Sequence, residues 1–143
     1  MKQFLIKSKI YLIIGAATFL SGCVEMEIVV PNGYTGQVCL VKSNVKENEL
    51  VLDTNGIGYI NESTYNSLKL KPIVQDVSGK DLSGNCVGFN PTAFWGRGKS
   101  QSSESKKVIN YVSFEIVPDS LKGKKQYYTK DLFKLVDASK IKD

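Results

Sequence analysis

The chain contains no histidine among its 143 residues. This absence excludes a Ser-His-Asp or Cys-His catalytic group and any zinc site with histidine ligands. Long apolar runs are also missing, because the uncharged stretch at residues 10–20 is well short of the roughly 20 apolar residues that a spanning helix needs. The sequence therefore predicts neither a histidine-dependent enzyme nor a permanent transmembrane helix.

Basic residues and no acidic residue precede that apolar stretch: Lys2, Lys7 and Lys9. A basic segment followed by a short apolar run is typical of a secretory signal peptide. The run leads into Leu20-Ser21-Gly22-Cys23, which resembles the lipobox of bacterial lipoproteins. The resemblance implies cleavage before Cys23 and a diacylglyceryl group on its sulfur, so residues 1–22 are predicted to be a lipoprotein signal peptide. The alternative is an ordinary signal peptide followed by an unrelated cysteine.

A lipid on Cys23 would place several acyl chains in a bilayer. Each buried methylene contributes about 0.8 kcal/mol, so two or more chains give a stable anchor where one does not. Membrane attachment is therefore predicted to depend on this one residue. Val24 follows it, where an aspartate would resemble an inner-membrane retention signal. The expected location is extracytoplasmic, at the outer membrane if the cell has two membranes.

Cleavage changes the charge and length of the mature chain. Three lysines leave with residues 1–22 and no acid does, so the net charge falls from +5 to +2. The weak residual charge does not favour nucleic-acid binding, which needs a retained basic face. Residues 23–143 have the length of one domain, and we predict a single lipid-anchored β-domain.

Two cysteines remain once Cys23 is assigned to lipid, namely Cys39 and Cys86. Exported domains fold in an oxidising compartment, so the first expectation is a disulfide between them. A bridge closing this loop would stabilise the domain by roughly 4 kcal/mol. Two separate buried thiols are the alternative, because spacing in sequence does not show whether the Cβ atoms approach one another.

The mature chain has the pattern of an all-β protein. Short stretches rich in β-branched residues are bounded by Gly, Pro, Asn or Ser, which predicts strands at 25–30, 36–41, 68–77 and 108–117 and a hairpin over 50–60. The hairpin would turn at Asn55-Gly56 with positive φ at both residues. We expect an antiparallel β-sandwich or open barrel with one short C-terminal helix, over 131–136 with Thr129 as N-cap.

Three quoted stretches carry a family resemblance: Val-Val-Pro-Asn-Gly-Tyr-Thr-Gly-Gln-Val at 29–38, Asp-Thr-Asn-Gly-Ile-Gly-Tyr-Ile at 53–60, and Tyr-Val-Ser-Phe at 111–114. Together they resemble a family of small bacterial lipoproteins of uncharacterised function whose mature domain opens with Pro-x-Gly-Tyr-x-Gly. The hairpin also resembles that of transthyretin-like and carboxypeptidase-regulatory-like sandwiches, and the sandwich that the resemblances imply is transthyretin-like or immunoglobulin-like. The resemblance covers residues 28–117 and implies a β-sandwich, without implying any catalytic residue.

Two motif matches lack the context that their chemistry requires. Residues 93–100 satisfy a permissive phosphate-loop pattern, but neither a buried strand before them nor a helix after them is predicted. A calcium loop starting at Asp53 would need an oxygen ligand at its fifth position, where Ile57 stands. It would also need a bidentate Glu at its twelfth and last position, where Thr64 stands. The sequence therefore predicts no cofactor and no metal.

Binding is the chemistry that remains. Phe94-Trp95-Gly96-Arg97-Gly98-Lys99 combines the only tryptophan with a phenylalanine and two cations, a composition favoured at interface anchors. We predict a ligand-binding role for Phe94, Trp95, Arg97 and Lys99 on a flexible polar loop over 96–107. The alternative is that the two aromatic residues end a strand and fill the core. The pair Tyr127-Tyr128 is predicted to pack in the core or at its rim, and the alternative is that it is exposed and binds a ligand or partner.

Three functions follow from these observations. The first is a non-enzymatic, lipid-anchored domain that binds an envelope ligand or partner protein, including an inhibitor or immunity-type lipoprotein. The second is a structural or assembly lipoprotein of the envelope. The third is a carboxylate-dependent glycan hydrolase, which would need two convergent carboxylates about 5 to 9 Å apart. An exposed Trp95 would favour the first and a buried Trp95 the second.

Overall fold

The computed structural model describes residues 26–104 and 106–141. Most of their regular structure is strand, which confirms the all-β prediction. The predicted signal peptide and Cys23 lie outside the described residues. The elements are β1 (Glu27–Val30), β2 (Gly36–Lys42), β3 (Ile57–Ile60), α1 (Glu62–Ser67), β4 (Ile73–Asp76), β5 (Cys86–Val87), β6 (Gly96–Gln101), β7 (Val108–Ile116) and α2 (Leu132–Leu135). No helix within the described ranges is long and apolar enough to cross a membrane.

The strands form a five-stranded and a two-stranded sheet. The larger has the order β3-β2-β7-β5, with β6 also paired to β7, and the smaller pairs β1 with β4. The prediction of a purely antiparallel arrangement is wrong, because β2 pairs with β3 and β1 pairs with β4 in parallel. Sequence patterns show where strands lie, whereas pairing direction depends on which strands meet in space.

The predicted hairpin over 50–60 forms only in part. A single antiparallel bridge joins Glu49 to Tyr59, while the next residues pair with β1 instead: Val29 N donates to Leu50 O at 2.9 Å, and Leu52 N donates to Val29 O at 2.8 Å. At the turn, Gly56 has a φ of 72° but Asn55 does not have positive φ. The Asn-Gly pair therefore predicts the position of the turn correctly, but the predicted positive φ at both residues is found only at Gly56.

Two apolar clusters lie on opposite faces of the large sheet. The main core lies between the two sheets and includes Ile28, Val30, Val38, Leu40, Val74, Trp95, Val112, Phe114 and Ile116. The second core lies behind β2 and β7 and includes Cys39, Val41, Ile57, Tyr59, Ile109 and Leu132. Because β2 is buried on both faces, its sequence reads as a continuous apolar run without alternation.

The predicted disulfide is wrong, because Cys39 and Cys86 are both free thiols. Cys39 lies opposite Ser113, and Cys86 lies opposite Ile116. Since residues 113 and 116 of β7 point to opposite faces, the sheet separates the two sulfurs. Cys39 belongs to the second core and Cys86 packs against the main core. The alternative of two separate thiols matches this placement.

Unfolded protein alkylated without reductant is expected to carry one label on Cys39 and one on Cys86. The native protein should label much more slowly, because burial raises the pKa of the Cys39 thiol to about 12 and that of the Cys86 thiol to about 11, which leaves little thiolate. Peptide mass spectrometry measures both states. A peptide linking the two cysteines in either state would contradict the structure.

The two helices differ in capping, because Asn61 caps α1 and no side chain caps α2. The C-terminal helix is confirmed, but it begins after Asp131 and its predicted cap, Thr129, lies outside it. Sequence reasoning missed α1, whose N-cap Asn61 accepts a hydrogen bond from Thr64 N at 2.9 Å. An Asn followed three residues later by a helix-compatible residue was the available sign of this helix.

The predicted flexible loop over 96–107 is wrong in its first half, which forms β6. This strand pairs antiparallel with β7 from Gly96 opposite Ser113 to Gln101 opposite Val108. Its polar, glycine-containing sequence does not favour a strand by propensity. Pairing with a long apolar neighbour overrides that local preference.

Candidate functional site

A groove of about 250 Å³ lies on the face of the large sheet over β5, β6 and β7. We call it the Tyr127 groove. Gln37, Ser113 and the two glycines of β6 contribute to its floor. A Cβ on Gly98 would lie 2.3 Å from Tyr111 Cζ, and one on Gly96 would lie 3.1 Å from Phe89 Cδ1. The aromatic rings therefore lie directly against glycine backbone.

Glu115 is the buried charged side chain of this groove, with 4% of its surface exposed. Its Oε1 accepts a hydrogen bond from Gln126 N at 2.8 Å, and its Oε2 accepts one from Tyr128 N at 2.7 Å. The carboxylate therefore ties residues 126–128 to β7 by two charge-assisted hydrogen bonds, which are stronger than neutral ones. We call this arrangement the Glu115 clamp.

Tyr127 lies between the two amides that the clamp holds. Its φ is 59°, in the left-handed region that is rare for a bulky residue. Its side chain is 75% exposed, so the prediction that it packs in the core or at the rim is wrong. The clamp holds its neighbours while the strained backbone turns the ring outward.

Phe89 and Lys125 complete the rim of the groove. Phe89 is 53% exposed, and Lys125 Nζ donates to its carbonyl oxygen at 2.9 Å. The same ammonium lies 4.9 Å from the Phe89 ring centroid and 5.3 Å from that of Tyr127. An aromatic–cation–aromatic arrangement of this kind presents flat apolar surface and a positive charge together.

Tyr111 supplies a hydroxyl group to the same groove. Burial raises the pKa of its phenol, and the nearby Cys39 raises it further. The phenol is therefore protonated at neutral pH and available as a hydrogen-bond donor or acceptor. The groove thus combines stacking surface with a few polar groups.

The structure separates the four residues predicted to bind a ligand. Trp95 is 7% exposed and lies in the main core, where its Nε1 donates to Leu70 O at 2.8 Å. Its ring packs edge-on against Phe94 and Phe114, with centroids 5.4 Å away in each case. Phe94 and Trp95 therefore adopt the alternative, core packing, and the binding role predicted for them is corrected.

Arg97 and Lys99 are exposed on β6. The Arg97 guanidinium donates to Tyr65 O at 3.0 Å and lies 4.7 Å from the Tyr65 ring centroid. They share a face of the strand opposite to that of Gly96 and Gly98. Arg97 also contributes to the lining of the Tyr127 groove, whereas Lys99 does not.

Sequence reasoning missed the clamp. Glu115 stands in the apolar run Phe114-Glu115-Ile116. A charge in the middle of a strand with apolar neighbours indicates a buried carboxylate that needs partners. Its partners lie eleven and thirteen residues away in sequence, so their identity depends on the fold.

The carboxylate chemistry of the groove is limited by these bonds. Both Glu115 oxygens are occupied by backbone donors, and Glu115 is the acid among the residues that line the groove. Within residues 26–104 and 106–141, no three His, Cys, Asp or Glu side chains come together in a group that could hold a metal ion.

Comparisons with known proteins show a weak structural similarity and no significant similarity in sequence. No family model matches it, and no curated protein matches it significantly. A crystal structure provisionally described as that of a lipoprotein from Bacillus anthracis aligns with 75% of this chain and 82% of its own, at 10% identity and a TM-score of 0.34. A likeness at this level carries no conclusion about fold or function.

Proposed function

We propose that this protein is an extracytoplasmic lipoprotein, anchored through Cys23, that binds an envelope ligand or partner protein without catalysing a reaction. The observation that carries the binding role is the Glu115 clamp, which holds Tyr127 in a strained backbone conformation with its ring exposed. The Leu20-Ser21-Gly22-Cys23 sequence carries the anchoring role.

Strain and exposure together support the binding role. A left-handed bulky residue costs of order 1–3 kcal/mol and persists only where surrounding contacts impose it. Exposing a large aromatic ring also forgoes the gain of burying it. Stability alone would not select this arrangement, whereas presenting a ring to a ligand would. Tyrosine is also enriched at binding hot spots.

The hydrolase hypothesis has less support. Hydrolysis of a glycoside needs a second carboxylate that faces the first across the substrate. The lining of the Tyr127 groove includes Glu115, whose two oxygens are engaged by backbone amides. A binding role requires no such pair.

A structural or assembly lipoprotein is the second candidate. The buried position of Trp95 favours it, since this side chain serves packing. An assembly role also requires a contact surface, and the Tyr127 groove would supply it. The two candidates therefore differ in whether the bound partner is a ligand or a permanent neighbour.

A photo-crosslinker tests the groove. With p-benzoylphenylalanine at position 127, irradiation of the intact cells that make the protein is expected to yield a specific covalent adduct. The matched control carries the same residue at Val51, which is 73% exposed on another part of the domain. Equal adducts at both positions, or none at position 127, would count against a binding role for the groove.

Cys23→Ser is expected to abolish lipid attachment and to release the protein from the membrane fraction. The reason is that the anchor depends on one sulfur and on two or more acyl chains. Incorporation of a labelled fatty acid and fractionation of the cells measure the two effects. Cys86→Ser is the matched control, and it should remain lipidated. Labelled acyl chains on Cys23→Ser would contradict the assignment.

A further inference from the structure

The outer side of β6 is an open edge of the large sheet. Six residues of β6 pair with β7, and no strand of the described chain pairs with the other side of Gly96–Gln101. Such an edge presents unpaired N–H and C=O groups that can pair with a further strand. At about 3.4 Å per residue the edge is about 20 Å long, which is enough to bind a short extended segment.

The two faces beside this edge differ in chemistry. Arg97 and Lys99 are exposed on one face. On the other face, Gly96 and Gly98 carry no side chain, so the rings of Phe89 and Tyr111 lie over their backbone. An added strand would therefore meet positive charge with one set of alternate side chains and aromatic surface with the other.

We propose that β6 binds an extended acidic segment of a partner protein by β-strand addition. This inference rests on the proposed binding function and names its partner class. The partner's backbone pairs with the edge of β6, its acidic residues face Arg97 and Lys99, and its intervening apolar residues contact Phe89 and Tyr111 at the entrance of the Tyr127 groove. Backbone pairing supplies affinity, and the alternate side chains supply specificity.

Charge selects this occupant over a second copy of the chain. Two β6 strands paired antiparallel in one continuous sheet would place Arg97 and Lys99 of one copy opposite those of the other. Like charges directly across from one another destabilise strand pairing. A further basic side chain, Lys42, lies over the same Tyr65 ring that Arg97 contacts. It forms an ion pair with Glu62 at 3.3 Å.

Edge protection alone does not account for the arrangement. Cations on an edge strand do disfavour aggregation. Protection would not require an aromatic face on the opposite side, where exposed apolar surface invites association. The combination of charges on one face and rings on the other fits recognition of an alternating segment.

The probe is a fluorescent heptapeptide with the sequence Glu-Val-Glu-Tyr-Glu-Val-Glu, titrated into the full-length, detergent-solubilised protein. We expect saturable binding below about 1 mM by fluorescence anisotropy. Lys99→Glu should weaken binding about tenfold, because it replaces an attractive cross-strand charge with a repulsive one. Lys99 is exposed, so this change leaves the core intact. Lys46→Glu changes an exposed lysine outside β6; it is the matched control and should bind as the wild type does.

Two matched peptides complete the test. A heptapeptide with lysine in place of each glutamate should bind Lys99→Glu more tightly than the wild type. The original peptide N-methylated at alternate residues along one side of its backbone, and separately along the other, should lose binding in one of the two forms. Hydrogen exchange of the β6 amides should slow on binding of the unmodified peptide.

Strand addition is overturned by the absence of saturable binding, by equal binding of both N-methylated peptides, or by an unchanged affinity of Lys99→Glu. Concentration-dependent dimerisation that competes with the peptide would instead show a second copy as the occupant. If the peptide fails while the crosslink at position 127 persists, the groove keeps its binding role and only the β6 proposal falls.

Discussion

Glu115→Gln is expected to lower the free energy of unfolding by about 3 kcal/mol. The glutamine side chain keeps one acceptor oxygen, but its NH₂ group would face the second backbone amide of the clamp, donor against donor. A buried amide is then left without an acceptor, and a charge-assisted bond is lost. Urea denaturation measures the change. Glu47→Gln makes the same substitution at an exposed position and should leave the unfolding free energy within about 0.5 kcal/mol of the wild type.

Hydrogen exchange separates loss of the clamp from general destabilisation. The amides of Gln126 and Tyr128 should exchange up to about a hundredfold faster in Glu115→Gln, if the segment opens locally. Amides at the centre of β2 exchange through global unfolding, so they should speed up only by the factor that the loss of unfolding free energy gives, whereas those of Gln126 and Tyr128 respond to opening of the clamped segment alone. Unchanged exchange at Gln126 and Tyr128 would mean that the clamp does not hold Tyr127 in place.

Trp95→Ala is expected to lower the free energy of unfolding by about 4 kcal/mol, the usual cost of truncating a large buried aromatic residue. The substitution removes contacts with Phe94 and Phe114 and the hydrogen bond to Leu70 O. Trp95→Phe should cost less, since it keeps part of the packing and loses the hydrogen bond. Thermal or urea unfolding measures each variant.

Phe89→Ala is the matched control for Trp95→Ala. Phe89 is 53% exposed at the groove rim, so its truncation should change the unfolding free energy by under about 1 kcal/mol. The peptide titration should weaken instead. A fully stable Trp95→Ala protein would contradict the assignment of this tryptophan to the main core.

The placement of the aromatic residues shows how far sequence patterns reach. The local sequence around Phe94 and Trp95 is compatible both with an exposed surface loop and with packing in the core. Only pairing of β6 with β7, which sets the strand beside Phe114, decides for the core. For Tyr127 the outcome is reversed: the sequence predicts packing and the structure shows an exposed ring. This exposure depends on the Glu115 carboxylate, twelve residues earlier in the chain.

The cysteines show the same limit. Two cysteines outside the predicted lipobox of a chain predicted to be exported favour a disulfide on statistical grounds. A bridge, however, needs Cα atoms within about 7 Å and Cβ atoms pointing toward one another. In this fold a sheet stands between the two sulfurs, and neither composition nor spacing contains that information.

The sequence by itself determined the strand-rich fold class, the C-terminal helix and most strand positions, because these depend on local periodicity and turn residues. It is also the basis for the proposed anchor at Cys23. Only the tertiary structure decided strand direction, the fate of Trp95, the separation of the thiols and the exposure of Tyr127. Each of these depends on contacts between residues distant in sequence, where burial and backbone pairing outweigh local preference.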